Sequence, residues 1–302
     1  MRCLSFVLNW HKYNESLVRR GEILLDFDVI DNWHSELNGM NEGKEGAAYK
    51  YPDSFVQLLG YMRVYFHLPY RQTEGVVRAH ANNKVPSVPD YSTVNRRINK
   101  LNIKLNSRIG NDIVIVLDST GIKVTNRGEW LPHKWNVRKG YLKIHVAVDI
   151  KKKRIVSLEV TSEEVHDGSK LKVLVDRAME SNNVKRVIAD GAYDSNENFR
   201  FLCQNDIEPA IRVRKNSSLS IGGGRRKRCR THSQRKEVVL NQLKNYKRRK
   251  HDINYGYRWI AETAFSSIKR MFGEYVSARK FPNMVKEMLV KVSLYNMFTS
   301  MK

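Results

Sequence analysis

The chain has 302 residues, 41% of them hydrophobic and 28% charged, and its 54 Lys/Arg against 31 Asp/Glu give a net charge of +23. That length allows one sizeable core plus a smaller module. With no run of 18 apolar residues and no leader pattern, a soluble protein that stays in the cytoplasm is expected. Three cysteines, Cys3, Cys203 and Cys229, are too few and of the wrong parity for a disulfide scaffold. The charge points to a polyanionic partner. Residues 1–100 hold 13 Lys/Arg and 11 Asp/Glu, so nearly all of the surplus lies beyond them. A membrane surface would attract such charge too, but no basic amphipathic helix with a wide apolar face is there to insert.

Residues 1–50 are mixed in character. Ile23–Phe27 reads as a short strand or a helix turn, and Gly39–Gly46 as a loop by its glycines. From Asp53 onward, Phe55, Leu58, Leu59, Met62 and Phe66 recur at three- and four-residue steps. That period predicts a helix stopping before Pro69. A second helix is expected from Tyr70 to Ala81. Pro86 and Pro89 then break the chain, and Ser92 is the expected N-cap of a third helix through Leu101, exposing Asn95, Arg96, Arg97 and Lys100. Three short helices ending in a basic one suggest a helical N-terminal domain over residues 1–105. Its third helix either reads DNA in the manner of a helix-turn-helix, through Arg96 and Arg97, or belongs to a plain helical layer. The connection before it, about nine residues, is longer than the usual three or four.

Residues 106–302 read as an α/β domain. Ile113–Leu117 is a continuous apolar run, as a central strand covered on both faces requires, and it ends at Asp118. Leu142, Ile144, Val146 and Val148 alternate with Lys143, His145, Ala147 and Asp149. After the turn at Lys151–Lys153, Val156, Leu158 and Val160 resume the alternation, which predicts a hairpin. A helix over Ser169–Met179 follows, then a strand Arg186–Ala189 delivering Asp190, a helix Asn196–Cys203 and a last strand Ala210–Val213. His166, Asp167 and Asp194 lie near this second acid as accessory groups or turn caps.

Two segments read as DNA contacts. Between Thr125 and Gly140, Trp130, Lys134 and Trp135 interleave aromatic and basic groups. They would either stack on an unpaired strand end or plug the sheet edge. Residues 212–251 hold 15 Lys/Arg and one acid, Glu237. There Gly222–Gly224 precedes Arg225, Arg226, Lys227 and Arg228 without the Gly-Lys-Ser/Thr ending of a phosphate loop. The bland alternative is a solvated linker, yet so many cations condense on DNA wherever a duplex passes. A zinc site from Cys203, Cys229, His232 and His251 would need a spacing no standard finger has, and a buried thiol is the simpler reading.

Asp118, Asp190 and Glu262 follow one another at equal intervals of 72 residues. Around the third, Tyr255, Arg258, Glu262 and Lys269 share one arc of a helix, while Ile260, Phe265, Ile268, Met271 and Phe272 take the other. Tyr-x2-Arg-x3-Glu-x6-Lys, with acids in Leu117-Asp118-Ser119-Thr120-Gly121 and Ala189-Asp190-Gly191-Ala192-Tyr193-Asp194, resembles the signature of DDE transposases of prokaryotic insertion sequences, of the insertion sequence 4 and 5 kind. The resemblance spans about residues 50–302. It implies a ribonuclease H-like core, here a mixed five-stranded sheet with flanking helices, with the first acid on strand one, the second after strand four and the third on a later helix.

The same resemblance implies catalysis by Asp118, Asp190 and Glu262. Three carboxylates suit two Mg²⁺ ions, or Mn²⁺ in their place, which activate the nucleophile and neutralise the leaving oxygen in phosphodiester cleavage. Arg258 and Lys269 would meet phosphates beside the scissile bond, and Tyr255 would contact the DNA by stacking or by donating a hydrogen bond. The implied reaction has two steps: water frees a 3′-hydroxyl at the element's end, and that hydroxyl attacks target DNA. The expected partners are the double-stranded ends and target, in a homodimer or larger synaptic complex associated with the nucleoid. Some relatives carry a large β-rich insertion between the second Asp and the Glu, for which 72 residues leave no room. A non-catalytic DNA-binding regulator would have no reason to keep all three acids, and a structure-specific nuclease of this fold none to keep the helix signature.

Overall fold

The computed structural model describes residues 10–25, 31–80, 85–105, 109–110, 112–124, 140–213, 235, 238 and 255–301. In chain order the elements are α1 (Trp10–Leu25), α2 (Trp33–Asn41), α3 (Asp53–Tyr65), α4 (Tyr70–His80), α5 (Tyr91–Lys100), β1 (Ile113–Val124), β2 (Tyr141–Asp149), β3 (Ile155–Ser162), α6 (Leu171–Met179), β4 (Val184–Ala189), α7 (Asn196–Gln204), β5 (Glu208–Ile211), α8 (Trp259–Phe272), β6 (Tyr275–Val276) and α9 (Phe281–Ser300). Single 3-10 turns lie at Asp167–Lys170, Gly191–Tyr193 and Tyr255–Arg258. The chain divides into two compact units, residues 1–103 with 277–302, and residues 104–276. Residues 277–302, which carry α9, belong to the unit of the N-terminal helices, where α9 packs on α3 and α5.

In the first unit α3 is the central helix. Phe55, Leu58, Leu59 and Met62 are buried as the period requires, and so are Val56, Tyr61 and Val64, because α1, α4, α5 and α9 surround it. Phe66 falls beyond the helix end and is exposed. Ile23–Leu25 continues α1, and Gly39 lies within α2, so the glycine-rich loop starts later than its composition suggests. The cap of α5 is Asp90 and not Ser92: its carboxylate accepts from the backbone N–H of Ser92 and Thr93. Arg97, expected at the surface, is turned inward. Its guanidinium donates to Tyr51 O at 3.0 Å, pairs with Asp53 at 2.6 Å and stacks over the Tyr49 ring. Within α9, buried Glu287 and Lys291 pair at 3.2 Å, and Glu287 also accepts from the N–H groups of Ser277 and Ala278. Among the described residues no helix is long and apolar enough to cross a membrane.

The second unit is built on one mixed sheet ordered β3-β2-β1-β4-β5, with β6 pairing the far end of β1. β1, β2 and β3 are antiparallel neighbours, while β4 and β5 run parallel to β1. Each parallel return needs a crossover, supplied by α6 before β4 and α7 before β5. Antiparallel hairpins followed by helix-linked parallel strands make the ribonuclease H-like order. Its sheet has six strands and not five; a two-residue β6 has no periodicity to announce it. Ile113, Ile115 and Leu117 point to a cluster with Leu171, Leu174, Val175 and Ala178 of α6 and Phe199 and Leu202 of α7. These α6 positions recur at i, i+3, i+4 and i+7, a single stripe, and each large one contributes roughly 1.5–3 kcal/mol by burial.

Two strand readings change. β1 does not end at Asp118 but continues to Val124, paired with β2 as far as Lys123 opposite Tyr141. The alternation along β2 fails in its second half, where His145, Ala147 and Asp149 are as buried as their neighbours. Both α6 and α8 pack on β2, so that stretch has no solvent face.

Candidate active site

Strand register brings the first two acids together. β1 and β4 are parallel neighbours with Val116 opposite Ile188, so two residues further along each strand Asp118 and Asp190 come level. Adjacent strands are about 4.8 Å apart, and both carboxylates approach one guanidinium, that of Arg258. Asp118, in mid-strand, is held by ladder partners and accepts from the Ser119 N–H at 3.0 Å. Asp190 lies just past the end of β4, where it caps the 3-10 turn Gly191–Tyr193 by accepting from the Ala192 N–H at 2.8 Å. Glu262 stands in the first turn of α8, whose opposite face buries Ile260, Ala261, Ala264, Phe265, Ile268 and Phe272. That arc matches the expected one except that Met271 is only half-buried. Gly273 at φ +75° ends the helix, a conformation that costs a residue with a Cβ.

Arg258, at the end of the turn Tyr255–Arg258, reaches all three acids. Its guanidinium lies 3.6 Å from Asp118, 3.8 Å from Asp190 and 3.9 Å from Glu262, and it donates to the Tyr255 hydroxyl at 3.3 Å. Burial disfavours the Arg258 charge, but the Tyr255 hydrogen bond and the carboxylates of Asp118 and Asp190 outweigh it and raise its pKa. Burial pushes the Asp118 carboxyl up, against the opposing pull of Arg258 and the Ser119 N–H. Its neighbours Asp190 and Glu262 push the same way, as like charges sharing one site must.

An open cleft of about 610 Å³ runs along this constellation, lined by Asp118, Ser119, Thr120, Arg258, Glu262, Phe265, Ser266, Lys269, Arg270 and Glu274. The expected Asp118, Arg258, Glu262 and Lys269 therefore share one surface, with Asp190 and Tyr255 tied to it through Arg258. Arg270 was missed because it flanks the signature spacing without belonging to it. Arg96 is exposed on α5 in the other unit. Trp130, Lys134, Trp135, Arg225, Arg226, Lys227 and Arg228 lie outside the described residues, as do Cys229, His232 and His251 of the zinc alternative; Cys203 is a half-buried free thiol. Tyr257 and Trp259, the chain neighbours of Arg258, are exposed aromatics.

The accessory candidates have definite partners. Asp194 is gripped by both ends of its carboxylate by Arg235, at 2.7 and 3.0 Å. Asp167 pairs with Lys143 at 2.8 Å and lies 3.3 Å from His145 Nδ1. His166 only precedes the turn Asp167–Lys170, and its side chain makes no cap bond.

Hard carboxylate oxygens grouped around a single cation suit a divalent ion such as Mg²⁺. Among the described residues no three acids, histidines or cysteines are drawn close enough to coordinate one as they stand; Arg258 lies between them.

The family described as transposase DDE domain matches residues 110–297, and a second family of that description matches residues 18–127. Among solved structures, the chain is similar to the piggyBac transposase synaptic complex with hairpin DNA, at 10% identity and TM-score 0.38, covering 93% of this chain and 74% of that one. It is also similar to the simian T-cell lymphotropic virus intasome in complex with PP2A regulatory subunit B56 gamma, at 12% identity and TM-score 0.28, covering 67% and 65%. For the Drosophila P element transposase strand transfer complex the values are 9% and 0.34, covering 65% and 47%. The chain spans less than two thirds of the length of these last two.

Proposed function

The chain belongs to the DDE transposase family, and from that membership we propose that it binds the ends of its own insertion sequence, of the 4 and 5 kind, and cuts and joins DNA there. The observation that carries this reading is the register of β1 and β4, which sets Asp118 level with Asp190 on the face that α8 crosses with Glu262. We assign the three as the catalytic acids. When bound by them, two Mg²⁺ ions, or Mn²⁺ in their place, supply an activated water or 3′-hydroxyl and neutralise charge on the leaving oxygen.

The chain's own residues do the rest. Arg258, Lys269 and Arg270 line the cleft as cations for the phosphates flanking the scissile bond, and Arg258 leaves the carboxylates to do so. Tyr255 steers that guanidinium through its hydroxyl. The basic stretch 212–251 grips the duplex regardless of sequence, and the helical unit, with Arg96, reads the ends. Double-stranded ends and target are then the partners, in a homodimer or larger synaptic complex working at the nucleoid.

Asp118→Asn, Asp190→Asn and Glu262→Gln should each abolish cleavage and joining of end-containing duplex while leaving its binding intact. A variant that cleaves at near wild-type rate removes that residue from the site. Nicking without joining would instead favour a nuclease of the same fold.

A further inference from the structure

Asp118 sits inside the strand ladder, but Asp190 lies past the end of β4, where sheet hydrogen bonds no longer fix its direction. Other contacts hold that turn. The 3-10 turn Asp167–Lys170 lies directly against it: a Cβ on Gly168 would stand 2.7 Å from the carbonyl oxygen of Ala192, closer than any real Cβ contact. Ala192 is the residue whose N–H orients the Asp190 carboxylate. Asn198, buried in the first turn of α7, spans the two turns. Its amide nitrogen donates to Gly168 O at 2.9 Å and to Tyr193 O at 2.9 Å, using both hydrogens. The Asp167 turn is in turn fixed to the sheet by Lys143 and beside His145, both on β2.

We propose that Asn198 is a positioning residue for Asp190, and that Gly168 is the glycine whose missing side chain lets it act. The inference rests on the assignment of Asp190 as a metal-binding acid. The linkage runs from β2 through the Asp167 turn and the Asn198 amide to the Asp190 turn, so the second acid is aimed from the sheet although it stands outside it. Supporting groups of this kind change metal affinity or activity by about 10–100-fold when removed. A merely structural asparagine would lower stability and leave metal binding alone.

The test uses the full chain and Mn²⁺ as probe, with binding read from the loss of the free-ion electron paramagnetic resonance signal, without DNA. Asn198→Ala and Gly168→Ala should weaken Mn²⁺ binding by about 10–100-fold. Asn198→Ser, which keeps one donor, should fall between them and the wild type. Asn182→Ala is the matched control. That asparagine is also buried, accepts from Ile109 N at 2.8 Å and donates to Ala178 O at 3.3 Å, but precedes β4 at its opposite end. It should lower the unfolding temperature and leave Mn²⁺ binding unchanged. Cleavage should fall further with Mg²⁺, which demands near-ideal octahedral geometry, than with Mn²⁺. If Asn198→Ala and Asn198→Ser bind Mn²⁺ as Asn182→Ala does, the proposal is overturned. If Asp190→Asn itself binds Mn²⁺ and cleaves normally, it is the assignment of Asp190 that fails.

Discussion

Arg258 is the residue on which the site balances. Its guanidinium lies within 3.9 Å of all three acids, so the carboxylates are held near one another by a shared cation. On the proposed assignment the same contacts are given up when a divalent cation enters, which sets the arginine and the metal in competition. Removing the arginine leaves like charges facing one another, a repulsion that an ion relieves. The rise in unfolding temperature on adding Mn²⁺ should therefore be larger in Arg258→Ala than in the wild type, even though cleavage is lost. Equal shifts would show that the guanidinium does not compete. His145 is the second residue with a measurable consequence. It is fully buried, bonded to Thr161 Oγ1 at 3.0 Å, and desolvation depresses its pKa from 6.5 to about 4. Asp167 and Glu159 oppose that shift, and Lys143 and Lys170 reinforce it. Because the folded pKa lies below the unfolded one, the neutral ring's contribution is complete above about pH 6.5. It drains away as pH falls toward 4, by roughly 3 kcal/mol in all. Asp118 and Asp149, whose pKa values burial raises, work in the opposite sense at the acid end. The diagnostic is thus a difference: between pH 6.5 and 4 the unfolding free energy of His145→Gln should fall less steeply than that of the wild type.

At the scale of elements, α9 shows how a long apolar helix is kept specific to one site. Met284, Met288, Val292, Leu294 and Phe298 are buried, and so is the Glu287–Lys291 pair. Burial lowers the Lys291 pKa, and Glu287 counters it. Glu287 further satisfies the backbone before the helix and lies 3.8 Å from Arg63 of α3. Glu287→Ala would leave Lys291 buried without its carboxylate, which costs about 3–5 kcal/mol. Urea unfolding of the variant checks this, and a loss below about 1 kcal/mol would mean that water reaches the lysine. The period of α9 told nothing of this pairing. Glu287 and Lys291 stand at i and i+4, which reads equally well as a surface ion pair. By contrast the face of α8 was legible, because Glu262, Lys269 and the buried Ile260, Phe265, Ile268 and Phe272 obey one helical period.

At the scale of the whole molecule, the chain leaves the helical unit at residue 103, builds the sheet, and returns at residue 277 to finish the first unit. A cut near residue 103 therefore does not yield two folded halves. A fragment of residues 1–103 lacks the helix that covers α3 and should show no cooperative unfolding transition. Linking residues 277–302 to it should restore one, seen by circular dichroism on heating; a cooperative transition without them would show that α9 is dispensable. The expected division into residues 1–105 and 106–302 followed the kinds of element met along the chain, helices first and then strands with helices, which are local properties. Contacts made by the last helix are not.

What the sequence determined by itself was local: the acids, the helix arc carrying Glu262, the strand–helix order of the core and the surplus of cations. The role of the acids is what the family resemblance implies; the others rest on residue type and on periods of two or 3.6, which neighbours along the chain are enough to express. Tertiary structure decided the rest. Pairing of β1 with β4 made Asp118 and Asp190 level, and the crossing of α8 put Arg258 among the acids. Helices on β2 buried His145, and contacts from Asp53, Tyr51 and Tyr49 took Arg97 from the surface. These are meetings of residues tens to hundreds of positions apart. No local propensity encodes them, because the free energy that selects them comes from packing and pairing across the whole fold.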